Sequence, residues 1–230
     1  MVARFGERPE AHQPQCCTGA DARQIGALCM RLAVPYTRPG IMGGIRSYLD
    51  ASRDVLAAAA AAIDEAQVSR AIDVMHTALA SQKPLLICGN GGSAADAMHI
   101  AGELVGRYKK ERRALKAMAL VADPAVVTAW SNDYSYDSAF ARQVEAFGEA
   151  GGVLLALSTS GNSKNVIAAA ETARQRGMTV IALTGAGGGK LAPKADILLA
   201  VPATDTPFIQ QVHICLYHYL CAEIEARIAR

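Results

Sequence analysis

Five short apolar runs, each followed by a segment of helical periodicity, constrain the fold of this 230-residue chain more than any other feature. Continuous apolar runs of about four to eight residues are typical of strands buried on both faces of a parallel sheet. Alternation of such strands with helices predicts an α/β fold in which helices cover both faces of the sheet. The predicted strands occupy residues 84–88, 117–121, 153–158, 179–184 and 197–201.

Helical patterns fill the segments between these strands and also precede them. Upstream of the first strand, residues 45–80 predict a long N-terminal helix, in which six consecutive alanines begin at Ala57. Alanine favours a helix intrinsically, and its small side chain allows close packing against another subunit. The other predicted helices occupy residues 94–108, 124–131, 138–146, 163–176 and 208–228, with a short one near Lys190.

Residues 1–41 differ in composition from the rest of the chain. They contain four of the nine prolines and no sustained periodicity, which predicts a mobile N-terminal arm. The folded domain is therefore expected to span residues 42–230. Met42, which opens the helical pattern, is an alternative start for the working protein.

Charge and composition exclude several classes of protein. A formal net charge of +2 argues against a dedicated nucleic-acid binder, which carries a strong basic excess. No apolar run approaches the roughly 18–20 residues that span a bilayer. The first residues also lack the apolar stretch of a secretory signal, so the cytoplasm is the expected location.

The six cysteines show neither the spacing of a zinc finger nor the density of a disulfide scaffold. A free cysteine in an apolar environment behaves as a small hydrophobic residue. Three cysteines lie in apolar strand or helix patterns, and we predict that they are buried thiols: Cys88, Cys215 and Cys221.

The first loop of interest, residues 89–93 (GNGGS), follows the first strand and precedes a helix. Its glycines allow a ligand to approach the backbone closely, and the helix N-terminus favours an anion. The segment also fits the dinucleotide fingerprint G-x-G-x-x-G/A. That fingerprint requires an acidic residue about 20 positions later, and Asp123 comes well after that point. A redox enzyme therefore remains an open but weakly supported alternative.

A second loop, residues 158–163 (STSGNS), places four hydroxyl groups at the start of a helix. Hydroxyls and backbone N–H groups together form a good site for a phosphate monoester. Simple helix capping is the alternative, although one hydroxyl suffices for that. A third loop, residues 184–190, departs from the nucleotide P-loop because only three residues separate Gly185 from Gly189 and Leu191 follows the lysine. It is predicted to be a flexible turn.

Candidate chemical groups lie on two predicted helices. His99 and Glu103 are four residues apart, so they share a helix face and could chelate a metal or act as an acid/base pair. A hydrogen-bonded surface pair is equally compatible with that spacing. The last helix carries Gln210, His213 and His218, whose spacing alone leaves them as ordinary helix residues.

Several separated segments occur in the same order as in bacterial phosphoheptose isomerases, and the sequence resembles that family from about Ile45 to the C-terminus. They are CGNGGSAADAMHIAGELVGRY, SNDY, STSGNS, the LTGAGGG turn and IQQVHICLYH. The resemblance implies an α/β fold, a three-layer α-β-α sandwich with a five-stranded parallel sheet. It also implies a homotetramer with active sites at subunit interfaces. The expected reaction interconverts sedoheptulose 7-phosphate and D-glycero-D-manno-heptose 7-phosphate through an enediol, for heptose synthesis.

The same resemblance implies roles for individual residues. One zinc ion per subunit is expected on His99, Glu103, Gln210 and His218. The general acid/base roles fall to Glu103 and His218. Substrate contacts are expected from Asn90, Gly91, Gly92, Ser93, Glu103, Asn132, Asp133 and Gln210, and phosphate contacts from Ser158, Thr159, Ser160 and Ser163.

Related proteins leave a second function open, namely a non-catalytic sugar-phosphate sensor or a regulatory protein that binds the replication initiator DnaA. In that initiator-binding relative the positions of Glu103 and His218 hold other residues, so their presence here favours an enzyme. The chain also departs from the family at residues 109–115 (KKERRAL), which lack the usual proline. We predict a rearranged loop there, with Arg107 either reaching substrate or lying on the solvated surface.

Overall fold

The computed structural model describes residues 43–229 of the chain, so the predicted arm at residues 1–41 and Met42 lie outside the described residues. Two helices come first, α1 (Ile45–Ala62) and α2 (Glu65–Ala80). The single helix predicted for residues 45–80 is therefore wrong in one respect, because it is interrupted after Ala62. Asp64 has extended backbone and its carboxylate accepts the N–H of Ala66 at 2.8 Å, which caps the start of α2.

All five predicted strands are present, with ends that shift by at most two residues. They are β1 (Leu85–Cys88), β2 (Ala117–Ala119), β3 (Val153–Ser158), β4 (Thr179–Thr184) and β5 (Ile197–Ala200). The remaining helices are α3 (Gly92–Val105), α4 (Pro124–Asp133), α5 (Ala139–Phe147), α6 (Lys164–Gln175) and α7 (Thr206–Ile228). Short 3-10 turns occupy Tyr136–Ser138 and Gly189–Lys194.

The strands form one parallel sheet in the order β2-β1-β3-β4-β5. The chain moves from β1 outward to β2 and then returns to the other side of β1 to form β3. In open α/β sheets, ligands bind beyond the carboxyl ends of the strands where the order reverses. The loops after β1 and β3 flank that point, and they are the two loops that the sequence singles out.

Alternating side chains of the strands build two cores, one on each face of the sheet. Leu85 and Ile87 of β1 face the core that is covered by α2, α3 and α7. Leu86 and Cys88 face the opposite core, which is covered by α5 and α6. The molecule is therefore the predicted three-layer α-β-α sandwich with a five-stranded parallel sheet.

Helix α1 packs on α7 through a smaller, third cluster. Val55 and Ala59 contact the first turns of α7 near Phe208, and Tyr48 stacks on the Phe208 ring at 5.3 Å. Three apolar side chains of α1 are nevertheless exposed in the single chain, namely Ile45, Leu49 and Leu56. Packing of this helix against another subunit stays a prediction.

The prediction of three buried thiols is correct for two of them. Burial raises the pKa of Cys88 and of Cys221 to about 12. Cys215 is exposed, so its predicted burial is wrong. Helix α7 is apolar around most of its circumference, and the sequence therefore did not show which side faces the core. Within residues 43–229, no helix is both long and apolar enough to cross a bilayer.

His213 of α7 is fully buried and lies against the end of β4. Its Nε2 lies 3.2 Å from the carbonyl oxygen of Thr184, while Nδ1 has no hydrogen-bond partner among the described residues. Burial lowers the pKa of His213 to about 4, against a smaller raising effect of the Thr184 contact. The imidazole is therefore neutral in the native protein across the physiological range.

This neutral histidine should make stability depend on pH. The unfolded chain takes up a proton near pH 6.5, whereas the native state does so only near pH 4, so the free energy of unfolding falls over that window as the pH falls. Between pH 7 and pH 5, we expect the free energy of unfolding to fall by about 2 kcal/mol more in the wild type than in His213→Gln. Urea unfolding at several pH values measures this difference. If the wild type and the variant differ in unfolding free energy by the same amount at every pH, His213 is not the residue that takes up the proton.

Candidate active site

The loop after β1 brings backbone and side chains from three elements together. Gly92 begins α3, and a Cβ at this position would lie 2.8 Å from Oε1 of Gln210. The absence of a side chain at residue 92 therefore leaves room for the end of the Gln210 side chain at the N-terminus of α3. This contact places Gln210 beside the glycine loop.

Asn90 joins the loop after β1 to the first turn of α6, which follows the loop after β3. Its amide forms two reciprocal hydrogen bonds with the amide of Asn165, at 2.8 and 2.9 Å. The hydroxyl of Tyr136 donates to the same Asn90 oxygen at 2.7 Å. Asn165 is 3% exposed, and its oxygen also accepts the N–H of Val166. Sequence reasoning missed both Asn165 and Tyr136.

The four hydroxyl groups of the second loop surround the start of α6. Ser158 donates to Ser163 at 3.2 Å, and Thr159 lies 3.3 Å from the hydroxyl of Thr206 in α7. Ser160 accepts the N–H of Asn162. Ser163 occupies the N-cap position of α6, yet no side-chain cap hydrogen bond forms there. Simple capping therefore does not explain the hydroxyls, and the N-terminus of α6 remains available to an anion.

The third loop, residues 184–190, packs against the second loop, residues 158–163. Gly161 has a φ of 65°, and a Cβ there would overlap the carbonyl group of Gly188. The N–H of Lys190 donates to Oδ1 of Asn162 at 3.1 Å, and the N–H of Leu191 donates to Gly161. The glycine-rich turn thus packs beneath the hydroxyl loop, which agrees with its assignment as a turn rather than a nucleotide site.

Three side chains that could bind a metal come together between α3 and α7. His99, Glu103 and His218 each place one ligand atom within 4.8 Å of the others. Nε2 of His99 lies 3.1 Å from Oε1 of Glu103, and the rings of His99 and His218 are 5.0 Å apart. The predicted pair on α3 is therefore not a simple surface pair, because packing of α7 adds a third group.

Two further residues, Tyr217 and Asp96, orient His99, and sequence reasoning missed both. The hydroxyl of Tyr217 donates toward Oδ1 of Asp96 at 3.4 Å and lies 2.9 Å from Nδ1 of His99. Burial, followed by the charge of Asp96, raises the pKa of Tyr217. When the hydroxyl donates to Asp96, its oxygen can accept the Nδ1 proton of His99. The signal available in the sequence was Asp96, which lies one helical turn before His99.

This orientation tests whether the cluster fits a metal ion. In the tautomer with the proton on Nδ1, His99 presents a lone pair on Nε2 to the carboxylate of Glu103. Two acceptors at such a distance repel each other unless a proton or a metal ion lies between them. Imidazole and carboxylate are also the ligands that zinc prefers in catalytic sites. The cluster therefore fits a zinc ion.

Other predicted residues lie apart from this cluster. Asn132 and Asp133 end α4, are exposed, and hydrogen bond to each other at 2.9 Å. Arg107 pairs with Glu111 on the surface, which favours its solvated role. Asp123 caps α4 by accepting from two backbone N–H groups, so it is already engaged and does not serve a dinucleotide site.

Comparison with known proteins places the chain in a family. Residues 47–185 match the SIS domain family. The phosphoheptose isomerase of Rhodospirillum rubrum is 52% identical over 158 residues, which cover 69% of this chain and 84% of that protein. The enzyme of Helicobacter pylori strain P12 is 49% identical over 162 residues, with 70% and 84% coverage.

Solved structures agree with the sequence matches. The phosphoheptose isomerase of Neisseria gonorrhoeae is 42% identical with a TM-score of 0.75, over 79% of this chain and 97% of that one. The enzyme of Francisella tularensis is 37% identical with a TM-score of 0.76, over 79% and 96%. Together with the shared fold, these matches show that the chain belongs to the phosphoheptose isomerase family of SIS-domain proteins.

Proposed function

We propose that this protein is an aldose–ketose isomerase that converts sedoheptulose 7-phosphate to D-glycero-D-manno-heptose 7-phosphate. The observation that carries the proposal is the convergence of His99, Glu103 and His218 between α3 and α7. The names of the relatives from Rhodospirillum rubrum and Helicobacter pylori support the same substrate class. A non-catalytic protein would not need an acid and a base at this position.

The hydroxyl loop holds the phosphate of the substrate. Its four hydroxyls and the uncapped N-terminus of α6 together suit a dianion. Anchoring the phosphate fixes the register of the sugar chain and so places the reacting carbons near Glu103 and His218. The substrate-binding residues are Asn90, Gly91, Gly92, Ser93, Glu103, Asn132, Asp133, Ser158, Thr159, Ser160, Ser163 and Gln210.

Glu103 and His218 perform the proton transfers. Isomerisation removes a proton from C1 of the ketose, forms an enediol and returns a proton to C2, while the carbonyl moves from C2 to C1. Glu103 acts as the base for the carbon-bound proton, and His218 moves a proton at the sugar oxygens. The two residues lie on different helices, so each can address the reacting carbons from its own side.

His99, Glu103 and His218 would hold one zinc ion per subunit. Gln210, expected as a fourth ligand, lies against Gly92 in the single chain. When bound, zinc supplies a Lewis acid that polarises the carbonyl and stabilises developing negative charge on oxygen. The contact of Tyr217 with Nδ1 of His99 supports this assignment because a proton held on Nδ1 leaves Nε2 free to coordinate.

The protein functions as a cytoplasmic homotetramer with active sites at subunit interfaces. Support comes from exposed apolar side chains near the site, including Met98 and Ile214, which an assembly would cover. A doubly charged sugar phosphate does not cross membranes readily, which supports the cytoplasm as the place of reaction. The product serves ADP- or GDP-heptose synthesis for surface glycans.

Proton NMR of the purified protein with sedoheptulose 7-phosphate in deuterated water tests the proposal. We expect aldose to form with deuterium at C2, to stop forming after chelation and to form again when zinc is added. Exchange without net aldose would mean that the acid and base act on another substrate. No exchange by the folded, zinc-loaded protein would contradict the enzyme and favour a sugar-phosphate sensor or an initiator-binding protein.

A further inference from the structure

A buried ion pair joins the segment after α3 to the C-terminal half of α7, and α3 and α7 are the two helices that carry the reactive groups. Arg112 follows α3 and Glu225 belongs to α7; their side chains are each 2% exposed and their closest atoms are 3.4 Å apart. Burying two charges costs free energy that the pair regains only with good geometry and further hydrogen bonds. The further partners of both side chains lead to the reactive cluster.

Glu225 anchors the segment after α3. Its carboxylate accepts the backbone N–H groups of Tyr108, Lys109 and Lys110 at 2.7, 2.6 and 2.8 Å. Burial raises the pKa of Glu225, but these donors and Arg112 outweigh it and lower the pKa overall. The Tyr108 ring, held by this anchor, lies 5.8 Å from the ring of His218.

Arg112 anchors the end of α3. Its guanidinium donates to the carbonyl oxygens of Glu103 and Gly106, at 2.7 Å each. These carbonyls belong to the last turn of α3, where no partner is available within the helix. The side chain therefore holds the peptide group of Glu103 itself. A planar guanidinium can reach both carbonyls and Glu225 at once, which the single ammonium of a lysine cannot.

We propose that Arg112 and Glu225 are positioning residues that set the distance between Glu103 and His218. Arg112 fixes the backbone of Glu103, and Glu225 fixes the Tyr108 ring that packs on His218. The ion pair then couples the two anchors. This inference rests on the proposed function for its link to turnover, although the geometric coupling itself does not require turnover.

Arg112→Lys tests the proposal because it keeps the positive charge beside Glu225 and removes the planar guanidinium that donates to both carbonyl groups. We expect kcat to fall by about tenfold or more with KM within about twofold, since the phosphate loop lies on other elements. We also expect the apo protein to bind Co²⁺ about tenfold more weakly, followed by the visible absorption of cobalt. The cobalt titration separates failure of this inference from failure of the proposed function.

Arg113→Lys is the matched control. Arg113 also donates to backbone carbonyls, but its partner at 2.8 Å is Leu79 of α2, remote from the cluster. This variant should keep kcat and cobalt affinity within about twofold of the wild type. Equal losses in both variants, or wild-type values in a folded Arg112→Lys protein, would overturn the proposal.

A second substitution keeps the inference testable if Arg112→Lys fails to fold. Tyr108→Leu leaves the ion pair and the backbone hydrogen bonds in place and removes only the ring beside His218. We expect the His218 ring proton resonances to shift in the NMR spectrum and cobalt affinity to fall. Unchanged resonances and affinity would show that the anchor does not reach His218.

Discussion

Glu103→Gln is expected to lower kcat by about 10²–10⁴-fold, the usual contribution of a general base. Glutamine has nearly the same shape as glutamate but cannot accept a proton from carbon. The side chain is 20% exposed and lies 3.1 Å from Nε2 of His99, so the substitution should leave the fold intact. Deuterium entry at the substrate carbon, measured by NMR beside circular dichroism, gives turnover and fold together.

Glu111→Gln is the control for this experiment. Glu111 lies eight residues further along, is exposed, and pairs with Arg107 on the surface. Its replacement should change kcat by less than about twofold, as expected for an exposed ion pair. Wild-type turnover by the Glu103→Gln protein would show that another residue acts as the base.

Gly161→Ala should destabilise the protein severely. Position 161 has a φ of 65°, which costs a residue with a side chain about 1–2 kcal/mol. The new Cβ would also overlap the backbone carbonyl of Gly188 and lie 2.8 Å from the N atom of Gly189. Backbone atoms cannot rotate away as a side chain can, so we expect a total loss of about 4 kcal/mol or more. Urea unfolding measures this loss.

Gly187→Ala separates the two causes. Gly187 also has a positive φ, 77°, but a Cβ there would meet no atom within 4 Å. Only the conformational cost of about 1–2 kcal/mol is therefore expected. If both variants lose a similar amount of unfolding free energy, the overlap with the backbone of the third loop adds little to the conformational cost. The Gly161 variant, where it folds, should also raise KM because the phosphate loop moves.

The strands and ligand loops were predictable because each rests on local chemistry. Continuous apolar runs identify buried parallel strands wherever they occur, and glycine or serine clusters after such strands mark the loops at the carboxyl edge. The break between α1 and α2 was missed although Asp64 is a typical N-cap residue. The apolar periodicity on both sides of it masked this signal.

The contacts that complete the site depend on residues far apart in the chain. His99 meets Tyr217 across 118 positions, and Asn90 meets Asn165 across 75. Helical spacing left His218 as an ordinary residue because only the packing of α7 on α3 brings it to Glu103. The buried position of Glu225 was hidden for the same reason, since its partners follow a different helix.

The paired amides of Asn90 and Asn165 have a consequence for the speed of ligand binding. They join the loop after β1 to the first turn of α6, across the reversal in strand order, and Tyr136 adds a third hydrogen bond. The conformational entropy of these segments is therefore lost when the chain folds and not when a ligand binds. A ligand then meets a preorganised pocket, and diffusional encounter instead of loop closure sets its association rate.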